Sequence, residues 1–214
     1  MHYTRAAYLA FAAAALLPAA CLARTLSYRI DPVHTQVLFS IDHDGYSFPV
    51  GRMKVKAGWL QFDERDWSNA KAVVDVDTAS VDLGDKEWDD AVTDKRFLDA
   101  KEFPLAHFES SSVEKTDAQH GTLHGAVTLR GITHELSIPF TLNRVGATMF
   151  AGLQTIAGFS AETVLDRTQF GMTAFPKAVG TQVKLRLEVE AILDQDAQKH
   201  YEAQEDSAHA AAQH

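Results

Sequence analysis

Residues 183–191 constrain this chain more than any other stretch. In Val183-Lys184-Leu185-Arg186-Leu187-Glu188-Val189-Glu190-Ala191 an apolar and a charged residue trade places at every step. That period of two is the mark of a β-strand with one dry face and one wet face. Val37, Phe39 and Ile41 alternate with Leu38 and Ser40, and Val74, Val76 and Thr78 alternate with Asp75 and Asp77. Leu136, Ile138, Phe140 and Leu142 alternate with Ser137, Pro139 and Thr141, and Leu123, Gly125, Val127 and Leu129 repeat the pattern with smaller residues between them. So many half-dry strands must bury their apolar faces together, as a sandwich or a barrel. Closing the sheet also removes its exposed edges.

Turn residues separate the strands. Arg130-Gly131-Ile132-Thr133 between two alternating runs reads as a hairpin, and Gly45, Gly51, Gly146, Gly171 and Gly180 mark other breaks. Between Met53 and Phe62 the apolar parity shifts, from Met53, Val55 and Ala57 to Leu60 and Phe62. One extra residue at Gly58 accounts for the shift, as a bulge or sharp bend. A single short helix is expected near residues 85–93, where Trp88, Ala91 and Val92 fall at helical spacing and Asp85 can cap the start. Residues 195–214 are mostly Ala, Gln, Asp, Glu and His with one aromatic, Tyr201, and read as a polar, disordered tail or a frayed helix.

The first residues are of another kind. One basic residue, Arg5, precedes an apolar run from Ala6 to Leu17, then Pro18 and small residues up to Ala23. This is the layout of a secretory signal peptide over residues 1–23, and the run falls short of the ~20 apolar residues a spanning helix needs. The mature protein is therefore expected in the periplasm. Cys21, the only cysteine, rules out an intrachain disulfide, and its lipidation is less favoured because Pro18 stands where a lipoprotein signal carries leucine. The formal net charge of -9 argues against a nucleic-acid partner, which needs a basic footprint.

Catalytic patterns are missing. Gly158-Phe159-Ser160-Ala161-Glu162 lacks the second glycine of a nucleophile elbow, and His134-Glu135 is followed by Ile138 where a zinc protease has its second histidine. The acid pairs Asp75/Asp77 and Glu188/Glu190 fall on outward strand faces, as solvated charge. His120 and His124 share a face but stand roughly 13 Å apart on an extended strand, too far for one metal ion. No catalytic or metal-binding residue is assigned. What the chain has in surplus is interior surface: Phe39, Phe62, Phe108, Phe140 and Phe159 with Trp59 and Trp88. Periodicity alone leaves open whether these fill a core or line a hollow barrel.

The chain resembles the YceI-like family of lipocalin-like, polyisoprenoid-binding periplasmic proteins over residues 27–193. The resemblance rests on motifs in order: Tyr28-Arg29-Ile30-Asp31-Pro32-Val33-His34-Thr35, Gly58-Trp59-Leu60-Gln61-Phe62-Asp63, and Phe103-Pro104-Leu105-Ala106-His107-Phe108-Glu109-Ser110. The hairpin Leu123 to Thr133 and Asp166-Arg167-Thr168-Gln169-Phe170-Gly171-Met172 complete it. It implies an all-β fold, an extended eight-stranded antiparallel barrel over residues 24–194 that holds a long isoprenoid chain and has no enzyme activity. Where many members carry a His and an Arg-Asp pair in the helix, this chain reads Gly84-Asp85-Lys86-Glu87-Trp88-Asp89-Asp90, which takes away the basic contacts to a head group. Trp88 then either packs the helix onto the barrel rim or lies over the mouth as an apolar lid.

Strand parity nominates Val37, Phe39, Ile41, Val74, Val76, Phe108, Leu136, Ile138, Phe140, Phe159, Leu185 and Leu187 as inward, ligand-facing residues, with Trp88 at the mouth. The expected ligand is a long-chain isoprenoid lipid, polyprenyl or quinone-like, either cargo or a fixed cofactor. No other cofactor is implied. Membrane-associated donor or acceptor proteins are the expected partners. The alternative is a stress-induced structural or interaction module with a filled core.

Overall fold

The alternating runs become strands of one sheet that closes on itself. The structure is a computed structural model that describes residues 26–212, so the segment expected to be a signal peptide, with Cys21, lies outside the described residues. The elements run β1 (Leu26–Ile30), β2 (Gln36–Ser40), β3 (Val50–Asp63), β4 (Asp66–Asp82), α1 (Lys86–Thr93), β5 (Leu105–Lys115), β6 (His120–Leu129), β7 (Ile132–Ala147), β8 (Thr155–Asp166), β9 (Gln182–Leu193) and α2 (Ala197–Ala212). From β3 to β9 each strand pairs antiparallel with the next. β1 and β2 both pair with β3 on one side and β9 on the other, at different heights. They are two halves of one stave, broken at Asp31–Thr35, so nine strands make a closed eight-stave barrel.

Local chemistry fixes the joints. The hairpin between β6 and β7 pairs Leu129 with Ile132, leaving Arg130 and Gly131 as a two-residue turn with φ of 53° and 70°. Both central residues are left-handed, as a type I′ turn requires. The parity shift in β3 is real, but the extra residue is Lys56, between Val55↔Val76 and Ala57↔Asp75, not Gly58. Gly58 is an inward position pressed so closely on β4 that a Cβ there would lie 2.8 Å from the Val73 carbonyl. The bulge turns Leu60 and Phe62 inward and Ala57 and Trp59 outward.

Those outward residues explain α2. Residues 197–212 of the expected tail form a helix, and Ala197 and Tyr201, one helical turn apart, are buried against Trp59 and Val73 on the outside of the barrel. The Ala-rich composition favours helix, and Gln198–Glu202 and Lys199–Asp196 contacts support its exposed side. Trp59 thus belongs to the outer wall and not to the barrel interior.

Candidate functional site

The barrel is not filled. Two chambers of about 240 and 260 Å³ run along its interior and share Met53, Leu98, Leu129, Leu165 and Leu185 in their walls. Either far exceeds the small voids left by ordinary core packing. The first chamber is walled by hydrocarbon except for Thr35, Gln61, Lys71 and His107. In the second, His43 and Arg167 are the only ionisable lining residues. Such a space is dry, since a buried water needs several polar partners.

Val37, Val74, Val76, Phe108, Leu136, Ile138, Phe140, Phe159, Leu185 and Leu187 line the first chamber. Phe39, Ile41 and Trp88 line the second, which Leu185 also borders. Parity missed Met53, Val55, Leu60 and Phe62, whose strand is interrupted by the Lys56 bulge, and Leu123 and Val127, whose alternation was visible. Leu98, Phe97 and Met172 come from loops, where no period exists to read.

The two ends of the barrel differ. At the end where β3 passes to β4, Phe62 lies 5.5 Å from Trp67 and 5.3 Å from Phe159, and Phe140 lies 5.4 Å from Trp67. These rings interlock as a plug, and Lys115 caps it with its ammonium 4.5 Å above the Trp67 ring. At the other end α1 lies over the second chamber, which Trp88, Ala91 and Val92 face. Asp85 caps α1 by accepting from the backbone of Glu87 and Trp88. Trp88 borders the chamber, 5.6 Å from the His43 ring, and is still 42% exposed, so it serves both as rim packing and as part of the cover.

A family model described as the YceI-like domain matches residues 28–191. The chain belongs to the YceI-like family. It is 34% identical over 187 residues to a UPF0312 protein of Pseudomonas putida, covering 85% of this chain and 96% of that one. It is 33% identical to Protein YceI of Salmonella arizonae, covering 86% and 96%. Among solved structures it is similar to BcnA of Burkholderia cenocepacia, with a TM-score of 0.67 at 23% identity over 75% of this chain and 98% of the other. It is also similar to a polyisoprenoid binding domain from Saccharophagus degradans, with a TM-score of 0.58 at 11% identity over 79% and 99%. At these identities the structures attest the fold.

One set of polar groups in this YceI-like barrel shapes the end that α1 covers. Arg167 is 1% exposed, and its guanidinium donates to the carbonyls of Gly180 and Val179 at 2.7 and 2.8 Å and to that of Met172. Burial draws it below the ordinary arginine value, and the nearby Asp166 opposes this. It thereby holds the segment that accepts Asp44 N–H at Ala178 and donates Gly180 N–H to Asp42. The loop carrying Tyr46 and Phe48 is therefore firmly anchored although those side chains are 87% and 60% exposed.

The residues that suggested chemistry are dispersed. Ser160 donates to Glu188, which also accepts from Arg186; both bonds hold that carboxyl below its usual range. His134 contacts the Gln169 carbonyl, His120 pairs with Asp117, and His124 with Ser137. The expectation that Asp75 is a solvated outer charge is wrong. It is 5% exposed beneath α2, bonded to His107 and to the Tyr201 hydroxyl. The Asp75 bond holds His107 above the ordinary histidine range, although burial opposes it. Sequence reasoning missed this group because its members are 126 residues apart at the extreme.

Proposed function

We propose that the barrel binds one long-chain isoprenoid-type lipid, polyprenyl or isoprenoid-quinone in kind, as a store or carrier, and performs no chemistry on it. The observation that carries this reading is the pair of adjoining hydrocarbon-lined chambers inside a closed barrel, with an aromatic cluster at one end and α1 over the other. Each 100 Å² of lipid surface removed from water there contributes about 2.5 kcal/mol. The Saccharophagus degradans neighbour, described as a polyisoprenoid binding domain, supports the same ligand class. The apolar tail would lie toward the plug, and the polar head would stay at the α1 end, where water can solvate it. Residues 1–23 would send the protein to the periplasm, where membrane-associated donors or acceptors exchange the lipid with it.

Native mass spectrometry of gently purified mature protein, followed by organic extraction, tests the reading. The expected result is one isoprenoid-type lipid per barrel, and a higher melting temperature for the loaded form than for the stripped one. An empty barrel that also refuses added isoprenoid quinone and polyprenyl phosphate would overturn it.

A further inference from the structure

A second group of side chains converges outside the barrel, at the seam of β4, β5 and α2. Asp75 accepts from His107 Nδ1 at 2.7 Å and, through its other oxygen, from the Tyr201 hydroxyl at 2.7 Å. The same hydroxyl lies 3.0 Å from a Glu205 carboxylate oxygen. A phenol has one hydrogen to give. Whichever carboxylate receives it, the other faces the phenol oxygen with no hydrogen between them. A protonated His107 offsets at most one of the two carboxylates. Among the described residues neither Asp75 nor Glu205 has a Lys or Arg partner, and Glu109 adds to the negative field around His107. A carboxylate buried as deeply as Asp75 is costly without a compensating cation.

The geometry suits a metal ion. Ligand atoms of Asp75, His107 and Glu205 all lie within 4.8 Å of one another. Bonds of about 2.0–2.2 Å in a tetrahedron set ligands about 3.4 Å apart. The widest separation would close by up to about 1.4 Å, which a rotamer change of the exposed Glu205 can supply. One imidazole and two carboxylates are a donor set for a zinc-class ion, with water in the fourth position.

We propose that Asp75, His107 and Glu205 form a binding site for a zinc-class divalent cation that clasps α2 to the barrel wall. Tyr201 acts as an outer partner, holding Asp75 in place. The site lies partly on α2, beyond the 28–191 span of the family match.

The test is calorimetric titration of the chelator-stripped, full mature chain with zinc chloride, alongside hydrogen exchange of α2. One equivalent should bind and slow exchange along α2. His107→Asn and Glu205→Gln should each weaken binding about tenfold or more. Glu205 is exposed, so its variant should fold normally and keep the test informative. A variant with His200, His209 and His214 all changed to Ala should still bind the equivalent. Two outcomes overturn the proposal: binding that disappears only when the tail histidines are replaced, or α2 protection that is indifferent to zinc and follows pH alone.

Discussion

The two ends of the barrel are built from the same kinds of residue to opposite effect. At one end four aromatic rings face each other: Phe62 and Trp67 are 4% and 3% exposed, and Phe140 and Phe159 complete the cluster. At the other end Tyr46, Phe48, Trp88 and Phe175 stand at the surface, on a loop, a helix and a turn. The difference lies in what the strands do. At the plug, long strands cross closely, and the bulge at Lys56 turns Leu60 and Phe62 into the interior. At the mouth the strands end, and loops tied by Arg167 and Asp42 hold aromatics outward. The plug turns its rings to one another, and the mouth turns its rings to solvent.

Two substitutions and one deletion break or sharpen that contrast. The largest effect belongs to the plug. Trp67→Ala removes the ring that contacts Phe62 and Phe140 and carries the Lys115 cap. It should cost about 3–5 kcal/mol in urea unfolding. A loss below about 1 kcal/mol would show that the cluster is no plug. Next comes the outer wall. Deleting residues 195–214 uncovers Trp59 and Val73, which α2 shields. The expected loss is about 2–3 kcal/mol, seen as a lower melting temperature with no loss of lipid content. The smallest stability effect belongs to the mouth. Phe48→Ser should leave stability within about ±0.5 kcal/mol. It should slow uptake of lipid from vesicles, because the exposed ring suits the interface between water and hydrocarbon. Unchanged uptake would place entry elsewhere.

Much of this was legible in the chain itself, for a physical reason. A strand that walls a dry interior must alternate, so Val37, Phe39, Val74, Val76, Leu185 and Leu187 announced their inward direction. The turn at Arg130-Gly131 was legible because only left-handed residues close a two-residue hairpin of that hand. The position of the bulge was not. Gly58 looked like the irregular residue, yet it is tightly packed, and the extra residue is the ordinary lysine two places earlier. Nor was the docking of α2. Its contact rests on Ala197 and Tyr201 meeting an apolar patch that exists only because the bulge turned Trp59 outward. Misjudging Trp59 as interior hid the helix's partner, and without that partner Asp75 looked like surface charge.

The chain has three tryptophans, and they report on three places: Trp88 at the mouth, Trp67 in the plug and Trp59 on the outer wall under α2. Variants that keep one tryptophan, with the other two changed to Phe, can be titrated with a polyprenyl lipid brominated at its tail or near its head. The tail label should quench Trp67, the head label should quench Trp88, and neither should quench Trp59, with saturation at one lipid per barrel. Equal quenching of Trp59, or no saturable quenching of Trp67, would contradict a lipid held inside the barrel with its tail at the plug.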